Sequence, residues 1–186
     1  MTEQIKLLGI SGSLRDASYN TALLEATTDM LPPHMAMKLA EIGSLPLYDP
    51  DIKPYPPPVV ADFVDDIAEA DAVIFATPEY NHSVSGALKN AIDWASRSFD
   101  RDKSVLNGKP AGIMGVTTGG YGTTRSQNHL RDILFAVNMH VLQRPMILVA
   151  NGKDKFDDEL RLTDEQTRTF LREFINNFEE WIQKFT

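Results

Sequence analysis

The feature that most constrains the fold of this chain is the alternation of short apolar runs with stretches of helical periodicity. Ile5–Ile10 and Ala72–Thr77 are runs of the length and apolarity typical of buried strands. Asn20–Leu31 and Val59–Ala70, which lie between them, place their apolar residues at helical spacing. Strands that alternate with helices predict a parallel sheet with helices on both faces.

Further segments complete the pattern. Three are apolar runs typical of strands: Met35–Ile42, Ala111–Thr117 and His140–Val149. Three have helical periodicity: Gly86–Ser98, Thr123–Val137 and a last helix from Thr163, where Gln166 completes a capping box. Five parallel strands commonly take the order 2-1-3-4-5, the flavodoxin-like arrangement. We therefore expect an α/β, flavodoxin-like three-layer fold with a five-stranded parallel sheet, formed by residues 1–186 as a single domain.

Composition narrows the function mainly by what it excludes. A formal net charge of -8 argues against nucleic acid and anionic membranes as partners. The absence of cysteine excludes thiolate catalysis, disulfides and cysteine-ligated metals, and the histidines show no ligand spacing. No apolar run approaches the roughly 20 residues that span a bilayer, and MTEQIKLLGI lacks the features of a signal peptide. We expect a cytoplasmic protein that binds small molecules and no metal.

Three polar segments follow the first, third and fourth predicted strands. They are SGSLRDASYN (residues 11–20), PEYNHSVSG (residues 78–86) and TTGGYGTT (residues 117–124). In the order 2-1-3-4-5 these strands are neighbours, and ligands bind at their carboxyl ends, where the strand order reverses. We therefore expect the three segments to line one crevice.

The first segment has the composition of an anion site. It leads into a helix N-terminus, where backbone N–H groups lack partners and the helix dipole is positive. Ser11, Ser13 and Ser18 supply hydroxyls, Asn20 supplies an amide, and Arg15 supplies a positive charge. The spacing of its glycines fits neither a dinucleotide loop nor a nucleoside-triphosphate loop, so a phosphate monoester fits best. The alternative is a serine-rich turn that only caps the helix.

The second and third segments could hold a flat ring. Pro78–Asn81 combine a rigid backbone, a carboxylate, an aromatic ring and a carboxamide, against which a heterocycle could lie. The alternative is a tight turn with Asn81 in a left-handed conformation and Tyr80 on the surface. In the third segment, Gly119 and Gly120 permit close backbone approach, or are part of a plain flexible turn.

These segments also resemble a known family. GSLRDASYN, the long stretch PEYNHSVSGALKNAIDWASR and the glycine-rich segment after the fourth strand resemble the NADPH-dependent FMN reductase family, and within it the bacterial chromate and quinone reductases. In that family a proline usually stands just before the glycine that follows PEYN. Here Ser85 precedes Gly86, and we expect a slightly more flexible loop as a result.

The resemblance implies one non-covalently bound FMN, with NADPH or NADH as co-substrate. It assigns the FMN phosphate to residues of the first segment: Ser11, Ser13, Arg15, Ser18 and Asn20. It places the isoalloxazine ring beside residues of the second segment: Pro78, Glu79, Tyr80 and Asn81. It closes the other side of the ring with residues of the third segment: Thr117, Thr118 and Gly119.

The resemblance also implies the reaction. Hydride would pass from NAD(P)H to FMN and then to a quinone or a similar acceptor, in ping-pong order, without a nucleophile or a metal. Two alternatives stay open: a flavodoxin-type electron carrier without nicotinamide turnover, and a binding protein for another phosphorylated ligand. Arg15 favours the reductase, because carriers of that type usually have a threonine-rich phosphate loop without arginine.

Relatives in this family are dimers or tetramers, with the helix after PEYN in the subunit contact. The resemblance therefore implies a homodimer or a homotetramer. Trp94 lies off the apolar stripe of that helix. This position suits either a subunit interface or partial cover by the same subunit.

Overall fold

A computed structural model describes residues 4–185 of the chain. Within these residues the strands are β1 (Ile5–Ser11), β2 (Met35–Ala40), β3 (Ala72–Ala76), β4 (Pro110–Val116), β5 (His140–Val141) and β6 (Ile147–Val149). The α-helices are α1 (Tyr19–Thr28), α2 (Pro58–Glu69), α3 (Gly86–Ala95), α4 (Thr124–Ala136) and α5 (Glu165–Ile182). Strands and helices alternate as the sequence predicts.

The sheet is parallel throughout and has the predicted order. β2, β1, β3, β4 and β5 are neighbours in that sequence, which confirms the order 2-1-3-4-5. The prediction of one fifth strand over His140–Val149 is wrong in detail. Its two ends form β5 and β6, which pair with the beginning and the end of β4. Pro145 lies in the gap between them, and a proline has no N–H to donate to a strand partner.

Helices cover both faces of the sheet and give it two cores. On one face α1 and α5 bury side chains such as Leu23 and Phe174. On the other face α2, α3 and α4 bury side chains such as Phe63, Leu88 and Leu130. This confirms the three-layer, flavodoxin-like architecture. Among the helices of residues 4–185, none combines the length and the apolarity that crossing a membrane requires.

The last helix starts one residue later than the sequence predicts. Asp164, rather than Thr163, is the N-cap, and its carboxylate accepts hydrogen bonds from the Thr167 N–H (2.8 Å) and hydroxyl (2.7 Å). Lys155 Nζ also donates to this carboxylate at 2.7 Å. The Lys155 and Thr167 hydrogen bonds together lower the pKa of Asp164 to about 2. An aspartate bound by several donors is a stronger cap than the neighbouring threonine hydroxyl.

Trp94 packs entirely inside its own chain. Its side chain is fully buried, its Nε1–H donates to the carbonyl oxygen of Pro46 at 2.8 Å, and its ring meets Tyr48 edge-on at 5.0 Å between centroids. The interpretation of Trp94 as a subunit contact is therefore wrong. The tryptophan instead holds the loop between β2 and α2 against α3.

The start of α4 lies very close to the end of the sheet. A Cβ atom on Gly115 in β4 would overlap the Thr123 hydroxyl and lie 2.5 Å from the Thr77 carbonyl oxygen. Thr123, the residue before α4, is buried with a φ of 63°. Gln127 Nε2 fixes it by donating to Thr123 Oγ1 at 3.0 Å. The missing side chain at Gly115 thus allows α4 to begin directly beside the end of β3.

The close contact of Gly115 with Thr123 and the Thr77 carbonyl predicts that a side chain at position 115 destabilises the fold. Replacing Gly115 with alanine should lower the free energy of unfolding by about 1–3 kcal/mol, since the new methyl group meets backbone and a buried threonine that cannot move aside. Chemical denaturation of the purified variant measures the loss. Gly86→Ala is the matched control, because a Cβ there meets nothing within 4 Å and alanine favours the first turn of α3. Equal stability of the two variants would contradict the close approach of α4.

Candidate functional site

β1, β3 and β4 end side by side at one edge of the sheet. Ser11 pairs with Ala76, and Ala76 pairs with Met114. Backbone hydrogen bonds continue past the strand ends: Gly12 N–H donates to the Ala76 carbonyl at 2.8 Å, and Thr77 N–H to the Met114 carbonyl at 2.9 Å. The three polar segments therefore leave the sheet at one edge, as the sequence predicts.

The first loop, residues 12–18, leads into α1. Ser18 caps this helix, and its hydroxyl accepts a hydrogen bond from Thr21 N–H at 3.2 Å. Ser11 Oγ accepts from the Thr21 hydroxyl at 2.9 Å and, more weakly, from Ser13 N–H at 3.4 Å. Arg15 is exposed, and no carboxylate within residues 4–185 forms an ion pair with it.

Asn20 has a different position from the one that the sequence suggests. It is buried, its Nδ2 donates to the Val116 carbonyl at 3.0 Å, and its Oδ1 accepts from Val116 N–H at 3.0 Å. These two bonds tie the first turn of α1 to the end of β4. Through these bonds Asn20 holds the end of the first loop against the sheet. One Nδ2 hydrogen remains available to a ligand. Phosphate binding by Asn20 stays a prediction.

The second loop, which is the segment of residues 78–86, contains a tight turn. Tyr80 and Ser83 exchange backbone hydrogen bonds at 3.1 Å in both directions. Asn81 and His82 between them have φ values of 52° and 65°, as a type I′ turn requires. The alternative of a turn with left-handed Asn81 is thus confirmed for the backbone. The Tyr80 side chain is half exposed, so a flat ligand can still reach it.

The first and second loops contact each other. Ser13 Oγ and Tyr80 Oη are 3.5 Å apart. A Cβ atom on Gly12 would lie 2.9 Å from Pro78 Cδ, which shows how closely the two backbones approach. Ser85 is buried and hydrogen-bonded at the start of α3, and greater flexibility at this departure from the family pattern stays a prediction.

Glu79 turns toward α4. Its Oε2 accepts hydrogen bonds from Arg125 N–H (3.0 Å) and Ser126 N–H (3.3 Å), the first free amides of that helix. Oε1 lies 3.6 Å from Arg125 Nη1 and 3.5 Å from His82 Nδ1. Burial raises the pKa of Glu79, but the hydrogen bonds from Ser126, His82 and Arg125 and the charge of Arg125 outweigh it and lower the pKa overall.

The third loop, which is the segment of residues 117–124, is held by backbone hydrogen bonds from the residues that follow β6. The Thr117 carbonyl accepts from Gly152 N–H at 2.9 Å, and the Gly119 carbonyl accepts from Asn151 N–H at 3.0 Å. Thr118 and Gly119 are exposed. A Cβ atom on Gly119 would meet nothing within 4 Å, so the fold alone does not require glycine there. Thr118 and Gly119 are therefore accessible to a ligand.

Two residues near these loops escaped the sequence analysis. Thr21 lies under the first loop, and its only sequence signal is its place three residues after the Ser18 cap. Arg125 lies beside the second loop, with its guanidinium 3.0 Å from His82 Nδ1 and over the Tyr121 ring. The His82 side chain itself is exposed.

The residues of the first loop fit a phosphate monoester. A cavity of about 240 Å³ opens beside this loop and is lined on one side by Ser11, Ser13, Arg15 and Thr21. The amides of the first turn of α1 add to these donors, since Ser18 caps only the Thr21 N–H. Hydroxyls, free amides and one unpaired guanidinium are the donors that a phosphate needs. Within residues 4–185, by contrast, no cluster of three histidine, aspartate or glutamate side chains could hold a metal ion.

The fold and the loops define a flavodoxin-like protein with a loop whose donors fit a phosphate, at the point where the strand order reverses. Comparison with known proteins narrows the class. The family model described as NADPH-dependent FMN reductase matches residues 5–154. An NAD(P)H-dependent FMN reductase of Pseudomonas aeruginosa is 43% identical over 185 residues, which cover 99% of this chain and 98% of the relative.

Two further relatives agree. A quinone reductase of Pseudomonas putida is 38% identical, over 98% of this chain and 97% of its own length. Among solved structures, the flavoenzyme NAD(P)H:(acceptor) oxidoreductase of Paracoccus denitrificans superimposes with a TM-score of 0.89 at 32% identity, over 97% of this chain and 98% of its own. The chain belongs to the NADPH-dependent FMN reductase family, as the resemblance predicted. Family membership makes it an oxidoreductase, with FMN as cofactor and NAD(P)H as co-substrate.

The Glu79 contacts predict a pH-dependent contribution to stability. Its pKa is lowered in the folded protein, so the carboxylate stabilises the fold above its ordinary pKa of 4.5, and this stabilisation is lost as the pH falls through the folded value. At pH 7, Glu79→Gln should lower the free energy of unfolding by about 0.5–2 kcal/mol, the range for loss of a helix cap. Chemical denaturation at pH 7 and pH 3 should show the difference shrinking at low pH.

The exposed Glu173 on α5 is the matched control for this series. Glu173→Gln removes a carboxylate of the same type in a helix, but one that caps no amide. Its stability should follow that of the parent protein at both pH values. A Glu79→Gln difference that is the same at pH 7 and pH 3 would contradict the role of the charge.

Proposed function

We propose that this chain is an FMN-dependent NAD(P)H:quinone oxidoreductase that binds FMN across the edge where β1, β3 and β4 end. The observation that carries the proposal is the junction of the first two loops, where Ser13 Oγ lies 3.5 Å from Tyr80 Oη. This contact puts a phosphate-binding loop next to a half-exposed aromatic turn. A phosphate and a flat ring joined by a short chain match that pair of surfaces.

The first loop would hold the phosphate. Ser11, Ser13 and Ser18 supply hydroxyls, and Arg15 supplies a positive charge within the first loop. Ser18 already caps α1, so it would contribute chiefly by keeping the first turn in place. Asn20 would contribute in the same way, through its bonds to Val116.

The second and third loops would hold the isoalloxazine ring. Pro78, Tyr80 and Asn81 offer backbone and side-chain groups on one side, and their turn is rigid. Glu79, the fourth residue that the resemblance places beside the ring, would contribute by fixing this turn to α4. On the other side, Thr117, Thr118 and Gly119 would close the site in the same proposal.

The chemistry itself is that of the flavin, which accepts a hydride and gives it up again when bound. The role of the protein would be to hold the flavin ring with one face accessible and to exclude competing reactions. Because one open face cannot hold two partners, NAD(P)H and a quinone would occupy it in turn, which is a ping-pong order. The quinone is the proposed acceptor because relatives named quinone reductases align over nearly the whole chain.

Two further parts of the proposal concern the protein as a whole. Residues 1–186 would act as one FMN-binding domain in the cytoplasm, where NAD(P)H is available. The domain would form a homodimer or a homotetramer. Exposed apolar side chains such as Leu47 and Phe135 offer surface for such contacts, each with 84% of its area accessible.

Reduction of the bound flavin tests the function directly. Protein reconstituted with FMN should show the absorbance of oxidised flavin, and anaerobic NADPH or NADH should bleach it. Initial rates with a benzoquinone should then give parallel lines in double-reciprocal plots. Bleaching without quinone turnover, or intersecting lines, would contradict the proposed acceptor or the proposed order. Flavin that neither NADPH nor NADH bleaches would favour an electron carrier.

Arg15 tests the phosphate site. Arg15→Ala should raise the dissociation constant for FMN about 10- to 100-fold, because a charge-assisted hydrogen bond contributes roughly 1.5–3 kcal/mol. The affinity for riboflavin, which lacks the phosphate, should not change. Fluorescence titration with both ligands measures the two constants.

Arg172→Ala provides the matched control. Arg172 is an exposed arginine on α5, so its removal changes the net charge by the same amount. It should leave both affinities at the level of the parent protein. An Arg15→Ala protein that binds FMN as tightly as the parent would show that the phosphate lies elsewhere.

A further inference from the structure

The Ser85 hydroxyl joins the first loop to the start of α3. It donates to the Gly12 carbonyl oxygen at 2.6 Å and accepts from Leu88 N–H at 3.2 Å. The side chain is only 2% exposed, so water does not compete for either bond. The same hydroxyl therefore caps α3 and holds the carbonyl of a residue in the first loop.

This bond fixes the direction of the next peptide group. Gly12 is already held at its amide, which donates to the Ala76 carbonyl at 2.8 Å. With its carbonyl held by Ser85, the peptide plane between Gly12 and Ser13 cannot rotate. In a planar trans peptide the N–H points opposite to the C=O. The Ser13 N–H therefore points away from α3, toward Ser11 Oγ at 3.4 Å.

The Ser13 N–H is the kind of donor that a phosphate uses. Its bond to Ser11 Oγ is long, so a stronger acceptor in the adjoining cavity can take its place. Gly12 also lies too close to α3 for a side chain, since a Cβ would be 3.0 Å from Ser85 Oγ and 3.1 Å from Leu88 Cβ. The proline that the family pattern usually has at position 85 carries no hydroxyl to hold the first loop.

We propose that Ser85 is a positioning residue for phosphate binding: its hydroxyl sets the Gly12–Ser13 peptide so that the Ser13 N–H faces the phosphate of FMN. The inference rests on the proposed function, in which the first loop holds that phosphate. Ser85 does not touch the ligand. It acts through the Gly12 carbonyl, and it departs from the proline that the family pattern usually has at this position.

The experiment compares the affinities for FMN and riboflavin in two variants. Ser85→Ala removes the hydroxyl. Ser85→Pro removes it too but keeps the backbone, because the φ of -66° at this position is the value that proline requires. Both variants should lose the preference for FMN over riboflavin by about 5- to 10-fold, with riboflavin affinity unchanged. Asp164→Ala, which removes the cap of α5, should lower the melting temperature and leave the preference intact.

The outcomes separate this inference from the proposed function. A folded Ser85→Ala or Ser85→Pro protein with the parent's preference for FMN would overturn the role of Ser85. If Ser85→Ala does not fold, Ser85→Pro decides. A parent protein that does not distinguish FMN from riboflavin would overturn the phosphate site and this inference with it, and Arg15→Ala would then also have no effect. Equal loss of both ligands' affinities would show a purely structural role and would also overturn the inference.

Discussion

The backbone hydrogen bonds that continue past the ends of the central strands determine the rest of the functional edge. Gly12 N–H reaches the last residue of β3, and Thr77 N–H reaches β4. Because these strands lie about 4.8 Å apart, the loops that follow them start at fixed and small separations. The contact between Ser13 and Tyr80 is a consequence of this spacing. Polar residues that are far apart in the sequence become neighbours because the sheet is parallel and its order reverses between β1 and β3.

Glycine at two points makes these close approaches possible. Gly12 lies against Pro78 and α3, and Gly115 lies against Thr123 at the start of α4. At both positions a side chain would meet backbone atoms or buried groups. The space saved lets a helix begin within hydrogen-bonding distance of a strand end. At these short distances Ser85 joins the first loop to α3, and Glu79 joins the second loop to α4.

The sequence was sufficient to predict the secondary structure elements and their layers. The spacing of apolar residues follows which side chains are buried, and packing against the sheet decides which ones are buried. The sequence predicted the strands and both layers of helices, whereas the order 2-1-3-4-5 came from the arrangement that five parallel strands commonly take. It failed where one residue decides a local geometry. Pro145 interrupts the fifth strand, Asp164 caps α5 in place of Thr163, and Trp94 turns inward to Pro46. Such details depend on which partner lies across the fold, and a single sequence does not show that partner.

For the candidate site, the sequence located the loops but not the task of each side chain. Asn20 and Glu79 carry the right functional groups for ligand binding, yet both are engaged with the protein itself. Arg125 gave no signal, and Thr21 gave only its place three residues after Ser18, because the relevance of both comes from partners that the fold brings to them. The three polar segments indicated which residues lie at this edge. The hydrogen bonds of the structure show which of these residues still have donors or acceptors for a ligand.

Helices α1, α3 and α4 all begin at this edge, and α1 and α4 differ in the groups that bind their free amides. At α4 the Glu79 carboxylate already accepts from the amides of Arg125 and Ser126, so a negative charge occupies that N-terminus. At α1 a neutral hydroxyl, Ser18, takes a single amide, and the unpaired Arg15 adds positive charge. A second anion would be repelled at α4 and attracted at α1. Under the proposed function, this difference would direct the phosphate of FMN to the first loop and leave the start of α4 as a wall of the site.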